Sequence, residues 1–130
     1  MKQDYTYLVV DDDPVYNMLC KISINKYLDN ADVQTFVEPK KGLEYIKNNT
    51  DQFAKHAILF LDINMPVMNG LELVKALRAL PDYKFTPMLV LTTESDNQKK
   101  AEGKEAGATG WIVKPFNPEV LLSVLKKVLN

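Results

Sequence analysis

Cysteine and glycine are both scarce in this chain, and each scarcity excludes a class of chemistry. Cys20 is the only cysteine among 130 residues, so the chain forms no intramolecular disulfide, which suits a reducing compartment. On an apolar helix face, Cys20 is expected to pack in the core and not to react. The five glycines form neither a G-x-G-x-x-G nor a Walker motif, and this disfavours nucleotide binding.

Strong charge of either sign and long apolar runs are also lacking. The formal net charge is −1, so there is no general basic excess of the kind that binds nucleic acid. No apolar segment has the length of a membrane span, and none follows the amino terminus as a secretory signal would. We therefore expect a cytoplasmic single domain, residues 1–130, that binds neither nucleic acid nor membranes.

What the chain does contain is a regular alternation of short apolar runs with amphipathic segments. The apolar runs predict five strands, at residues 5–10, 32–37, 56–61, 87–91 and 110–113. Helical spacing and capping signals predict five helices, at residues 14–28, 39–48, 70–80 and 96–106 and from 117 onward. Strands that are apolar throughout and alternate with helices predict an α/β fold, a doubly wound parallel sheet covered on both faces.

The first predicted helix carries an apolar stripe at the spacing of one helix face. It consists of Val15, Met18, Leu19 and Ile22. Asp13, just before Pro14, is expected to cap the amino terminus of this helix, although a role as extra charge beside a site stays open. The last helix carries a wider apolar stripe, which suits either full packing or a partner-binding face.

Three carboxylates are predicted to meet at one edge of the sheet. Asp11 and Asp12 follow the first predicted strand, and Asp62 follows the third. In doubly wound sheets the functional crevice lies at the carboxyl ends of the strands. Carboxylates crowded together repel each other unless a cation binds, and Mg²⁺ is the expected cation because it prefers oxygen ligands.

Two polar residues at the ends of the other strands extend this arrangement. Thr92 follows the fourth predicted strand, and Lys114 follows the fifth. A metal ion, an ammonium group and a hydroxyl around one carboxylate suit an anionic phosphoryl group attached to Asp62. Phosphoryl transfer requires mainly alignment and charge neutralisation, which such groups provide.

Taken together, these residues resemble the receiver domains of two-component response regulators, especially the single-domain chemotaxis receivers. The resemblance covers residues 5–129 and rests on Val10-Asp11-Asp12, on residues 61–66 with Gly70, on Thr92, and on Lys114-Pro115-Phe116. It implies a flavodoxin-like fold, with five parallel strands in the order 2-1-3-4-5 and five helices in three layers.

The resemblance also implies a role for each acidic residue. Asp62 would be the phosphoacceptor and a metal ligand. Asp12 would bind Mg²⁺ directly, whereas Asp11 would act through a bound water. The main-chain carbonyl of Asn64 would be a further ligand of the metal.

The remaining roles concern phosphoryl binding and signalling. Lys114 would bind one phosphoryl oxygen, and Thr92 would close onto another. Trp111 is at the aromatic switch position, where the family usually has tyrosine or phenylalanine. In the family, movement of the threonine and the aromatic ring carries the signal to the last two helices and the fifth strand.

The function implied is that of a phosphoacceptor signalling switch. It would receive a phosphoryl group from a sensor histidine kinase or a phosphotransfer protein and bind an unidentified output protein. It would be a monomer or weak dimer, and an enzyme only in catalysing its own phosphorylation and dephosphorylation. The sole histidine, His56, is expected at the surface at the start of a strand, so the chain is not itself a histidine phosphodonor.

Ordinary structural roles remain open for the same residues. Residues 11–13 would suit a solvated turn before a helix, where carboxylates favour the helix dipole. Thr92 would suit strand packing, Lys114 would suit the surface, and Trp111 would suit the core.

Three other functional interpretations also remain open. A metal-dependent phosphohydrolase commonly has a second acid two residues after its nucleophile, where this chain has Asn64. A phosphorylation-independent adaptor would bind partners without taking up a phosphoryl group. The segments up to residue 69 and from 92 to 129 resemble different receiver subfamilies, so an engineered or chimeric scaffold without a natural pathway is the third.

Overall fold

The computed structural model describes residues 5–28, 31–53, 55–93, 97–114 and 118–129. Its strands form one parallel five-stranded sheet in the order β2-β1-β3-β4-β5, as predicted. The strands are β1 (Thr6–Val10), β2 (Asp32–Phe36), β3 (Ala57–Asp62), β4 (Met88–Thr92) and β5 (Gly110–Val113).

The described residues contain six α-helices, so the predicted number of five is wrong by one. They are α1 (Pro14–Tyr27), α2 (Pro39–Asn48), α3 (Thr50–Phe53), α4 (Gly70–Arg78), α5 (Asn97–Ala106) and α6 (Pro118–Leu129). The additional helix, α3, is four residues long, which is too short for a periodic apolar pattern, and the buried ring of Phe53 anchors it. A 3-10 turn, Pro81–Tyr83, precedes β4.

The helix ends follow from local sequence signals where the structure describes them. Asp13 caps α1, because its Oδ1 accepts a hydrogen bond from the Val15 amide at 3.0 Å. Gly107 follows α5 with a φ of 108°, a left-handed conformation that glycine adopts without strain. Residues 96 and 117, where the last two predicted helices begin, lie outside the described residues.

The sheet lies between two helical layers, and alternate strand residues face opposite layers. Leu8 and Val10 of β1 belong to a core cluster on the face covered by α2 and α4. Tyr7 and Val9 belong to a second cluster on the face covered by α1 and α6. This period-two alternation makes the central strands apolar throughout. In the described part of the chain, no helix has both the length and the apolar character needed to cross a membrane.

Helix α1 buries a different face from the one that carries most of its apolar side chains. The predicted stripe is more than half exposed at every position: Val15 57%, Met18 56%, Leu19 51% and Ile22 58%. The buried face instead consists of Asn17, Cys20 and Ile24. Both faces have helical spacing. The buried face contains the polar residue Asn17, so it looks less apolar in the sequence than the exposed face.

Two isoleucines, one on each face of α1, allow the observed orientation of this helix to be tested. We expect Ile24→Ala to lower the free energy of unfolding by about 2–5 kcal/mol, because a fully buried side chain leaves a cavity. Ile22→Ala should change it by less than about 0.5 kcal/mol, because the side chain is mostly in solvent. Urea unfolding of both variants measures the difference. Equal losses would contradict the observed orientation of α1.

Candidate functional site

The parallel register brings four predicted site residues to one edge of the sheet. Val10 pairs with Leu61, so Asp11 and Asp62 each come next on adjacent strands. Thr92 is the last residue of β4 and pairs with Val113 of β5. Lys114 follows directly, and its amide donates to the Thr92 carbonyl at 2.6 Å. All four residues therefore lie at the edge of the sheet formed by the carboxyl ends of the strands, as the sequence predicts.

Asp11 is fully buried and is held from several sides. Its Oδ1 accepts a hydrogen bond from the Asp13 amide at 2.9 Å, and its Oδ2 accepts one from Lys114 Nζ at 2.6 Å. Its main chain is fixed as well, because its carbonyl accepts from Asn17 Nδ2 at 2.9 Å and its amide donates to the Phe36 carbonyl at 3.0 Å. The carboxylate therefore has a defined direction before any ligand binds.

Lys114 joins the two buried carboxylates. Its Nζ lies 2.6 Å from Asp11 Oδ2 and 3.1 Å from Asp62 Oδ1, and its side chain is only 11% exposed. The same Nζ lies 3.9 Å from the centroid of the Tyr16 ring, within the range of a cation–π interaction. Lys114, which the sequence predicts at this edge, is thus the cation that joins Asp11 and Asp62.

The protonation equilibria reflect this crowding. Burial, followed by the charge of Asp11, raises the pKa of Asp62 to about 6, although Lys114 opposes the increase. Burial alone would lower the pKa of Lys114, but the hydrogen bonds and charges of Asp11 and Asp62 outweigh it and the pKa is raised. Lys114 is therefore a permanent ammonium group at neutral pH.

The donor set fits a divalent cation with oxygen ligands. One carboxylate oxygen from each of Asp11, Asp12 and Asp62 lies within 4.8 Å of the others. Ligands on opposite sides of Mg²⁺ lie about 4.2 Å apart, so small side-chain rotations suffice to bind it. Three ionised carboxylates and one ammonium group leave two negative charges, which a divalent ion would neutralise.

The other predicted site residues lie around this cluster. Asp12 and Asn64 are exposed and follow β1 and β3, and Thr92 is buried at the end of β4. Trp111 lies three residues before Lys114, outside the carboxylate cluster and half-buried. Its indole packs so closely on α5 that a Cβ atom at Gly103 would lie 2.9 Å from the ring.

The loop after β3 is tightly constrained next to the acceptor. A Cβ atom at Gly70 would lie 2.5 Å from the Asp62 carbonyl oxygen, so only glycine allows α4 to begin there. Val67, in the same loop, has a φ of 73°, which is unusual for a β-branched residue. The main chain around Asp62 is therefore fixed by contacts that admit little variation.

Sequence reasoning missed two residues of this site. Tyr16 contacts Lys114, and Asn17 ties the Asp11 carbonyl to the Phe36 carbonyl, with donor–acceptor distances of 2.9 and 3.3 Å. The available signal was the spacing of Asn17 from Cys20 and Ile24, which marks the buried face of α1. A polar residue on that face indicates a structural hydrogen bond.

Residues 7–126 match the response regulator receiver domain family, and they make up most of the 130 residues. The chain belongs to the response regulator receiver family. Relatives include the chemotaxis protein CheY homolog of Campylobacter jejuni, 36% identical over 95% of this chain and 91% of that protein. Chemotaxis protein CheY1 of Helicobacter pylori is 38% identical over 95% of both chains. The solved structure of chemotaxis protein CheY4 from Vibrio cholerae gives a TM-score of 0.84 at 41% identity, covering 95% of this chain and 98% of that one.

Membership of the receiver family agrees with the geometry. The chain is a CheY-like receiver domain, and such domains are signalling switches and not ordinary enzymes. Receiver domains bind Mg²⁺ at an acidic pocket, and this chain has an aspartate cluster suited to it. CheY-like receivers interact with histidine kinases or phosphotransfer proteins.

The raised pKa of Asp62 predicts a pH dependence of stability in the absence of metal. The folded protein holds this proton more tightly than the unfolded chain, so the resulting stabilisation is complete below about pH 4 and disappears as the pH rises through about 6. Relative to Asp62→Asn, the wild type should lose up to about 2 kcal/mol of unfolding free energy between pH 4 and pH 7. Urea unfolding of both proteins at several pH values measures this. A constant difference between them would contradict the assignment.

Proposed function

We propose that this receiver is a phosphoacceptor switch in which Asp62 takes a phosphoryl group from a sensor histidine kinase or a phosphotransfer protein. The observation that carries the proposal is the ammonium group of Lys114, which contacts both Asp11 and Asp62. A buried cation beside the acceptor supports this role, because phosphoryl transfer depends on charge neutralisation around the transferred group.

In the proposed reaction a carboxylate oxygen of Asp62 attacks the phosphorus of a phosphohistidine. The Asp62 oxygen–phosphorus bond forms while the nitrogen–phosphorus bond breaks, and the imidazole leaves with the electrons of that bond and takes up a proton. Lys114 would move from Asp62 onto a phosphoryl oxygen, since its Nζ already lies 3.1 Å from Asp62 Oδ1. The Thr92 hydroxyl, at the end of the next strand, would bind another phosphoryl oxygen.

The proposed metal site consists of Asp11, Asp12, Asp62 and the main-chain carbonyl of Asn64. When bound, Mg²⁺ would supply the positive charge that neutralises the attacking carboxylate and the phosphoryl oxygens. Asp12 is the exposed member, so it would meet an incoming ion first. Asp11 and Asp62 are buried and already oriented, which lowers the cost of assembling the site.

The proposed output face is formed by α5, β5 and α6. Helix α5 is highly polar and has Gly103 in its interior, which lowers helix stability. Trp111 packs against Gly103, and Thr92 pairs with Val113 two residues further along β5. A displacement of Thr92 would therefore reach Trp111 and α5 through a single strand.

Phosphorylation by a small phosphodonor tests the acceptor. We expect acetyl phosphate with Mg²⁺ to add the mass of one phosphoryl group to the wild type and none to Asp62→Asn, because the amide is not a nucleophile of this kind. Chelation of the metal should abolish the addition. Asp82→Asn is the matched control, since Asp82 is exposed in the turn before β4 and should react as the wild type does.

The same experiment separates the competing functions. A phosphohydrolase would release inorganic phosphate continuously from small phosphate esters, whereas a receiver is modified once per cycle of its own dephosphorylation. An adaptor, or a chimeric scaffold without a pathway, would bind Mg²⁺ without gaining mass. Either result would overturn the proposed switch.

Trp111 fluorescence tests the coupling between site and output face. We expect Mg²⁺ with beryllofluoride to change the emission of wild-type Trp111 and to change it much less in Thr92→Ala, because the displaced hydroxyl is missing. The matched control is Thr35→Ala, an exposed threonine on β2, which should respond fully. An equal response in Thr92→Ala would show that the signal does not pass through Thr92.

A further inference from the structure

We propose that Tyr16 is a positioning residue that holds the Lys114 ammonium group over the phosphoacceptor. The main support for this proposal is the distance of 3.9 Å between Lys114 Nζ and the centroid of the Tyr16 ring. The inference rests on the proposed function, because it assigns a contact that would matter for phosphoryl transfer to Asp62.

The two carboxylate contacts of Lys114 alone do not explain how it would remain in place during the reaction. Both partners, Asp11 and Asp62, belong to the proposed metal site, and Asp62 would also carry the phosphoryl group. Once a cation and a phosphoryl group engage them, the attraction of these carboxylates for Lys114 would be weaker. A lysine has a flexible four-carbon stem and is strongly hydrated, so it would otherwise swing into solvent.

The Tyr16 ring provides a contact that neither ligand would displace. An aromatic face attracts a cation through its quadrupole, yet it carries no net charge for a metal ion to neutralise. The ring does not belong to the donor set of the metal, so loading the site leaves this contact available. Lys114 would thus keep one fixed partner while it exchanges its carboxylate contacts for a phosphoryl oxygen.

The position of Tyr16 is itself rigidly determined. It lies in the first turn of α1, after Pro14, where Asp13 caps the helix. The next residue, Asn17, is buried and donates to the carbonyls of Asp11 and Phe36. The helix that carries the ring is therefore attached to the strand end that carries Asp11, so ring, ammonium and carboxylate form one preorganised unit.

Three variants distinguish positioning from simple packing. Tyr16→Leu removes the ring, Tyr16→Phe keeps it, and Tyr27→Leu removes a tyrosine ring from the same helix about 16 Å away. Tyr27 is 37% exposed and serves as the matched control. Each protein is assayed for its phosphorylation rate constant with acetyl phosphate, for Mg²⁺ affinity, and for its free energy of unfolding.

We expect Tyr16→Leu to lower the rate constant about tenfold, which is the effect of losing one desolvated cation–π contact. Mg²⁺ affinity should stay unchanged, because the carboxylates remain in place, and Tyr16→Phe should restore most of the rate. A rate unchanged in Tyr16→Leu overturns the proposal. So does a parallel loss of rate and Mg²⁺ affinity that Tyr16→Phe does not restore, since this would indicate packing alone.

Nuclear magnetic resonance tests the contact without reference to activity. In lysine-labelled protein, the ε-methylene protons of Lys114, assigned with Lys114→Arg, should be shifted upfield by the ring in the wild type and in Tyr16→Phe but not in Tyr16→Leu. The shift should persist with Mg²⁺ and beryllofluoride. Its disappearance on loading overturns the proposal. A wild type with the shift but without any phosphorylation would contradict the proposed function instead.

Discussion

One buried ammonium group holds the functional edge of this molecule together. Lys114 Nζ contacts carboxylates from the ends of β1 and β3, although it follows β5 and is 103 residues from Asp11 in sequence. Two buried carboxylates without a cation would be costly to fold, because the hydrogen bond from the Asp13 amide to Asp11 replaces only part of the lost hydration. The lysine offsets this cost, yet the cluster still has an excess of negative charge. This remaining excess is what makes the site receptive to a divalent ion.

The sequence predicted most of the fold and nearly all of the acidic edge, for a physical reason. Apolar runs of strand length alternate with helices, and parallel strands place their carboxyl ends together. Asp11, Asp62, Thr92 and Lys114 each stand at such an end, so their proximity follows once the strands are identified. The strand order came from the resemblance to receivers and is observed. The geometry brings the four residues at the strand ends together, but their roles, like those assigned to Asp12, Asn64 and Trp111, stay predictions because they concern events that follow ligand binding.

The sequence did not predict which face of α1 is buried, because two faces of this helix have the same periodic spacing. Periodicity identifies α1 as a helix but does not say which of its two faces the sheet covers, and the more apolar face is the exposed one. The buried face contains Asn17, whose hydrogen bonds to two distant carbonyls become apparent only in three dimensions. The contact between Tyr16 and Lys114 was also not predicted, because no local sequence pattern indicates that a ring in the first turn of α1 contacts residue 114. The sequence thus predicted which strand ends meet, but not which individual side chains of α1 contact them.

The left-handed conformation of Val67 has a consequence for the energetics of this edge. A β-branched residue held at a φ of 73° raises the energy of the folded chain by about 1–3 kcal/mol. That strain lies five residues after Asp62 and is confined by the close approach of Gly70 to the Asp62 carbonyl. Any alternative loop conformation in which Val67 returned to an ordinary φ would recover this energy. Relief of this strain would favour the alternative loop conformation. A ligand that binds that conformation preferentially would then need a correspondingly smaller difference in affinity between the two loop conformations to populate it.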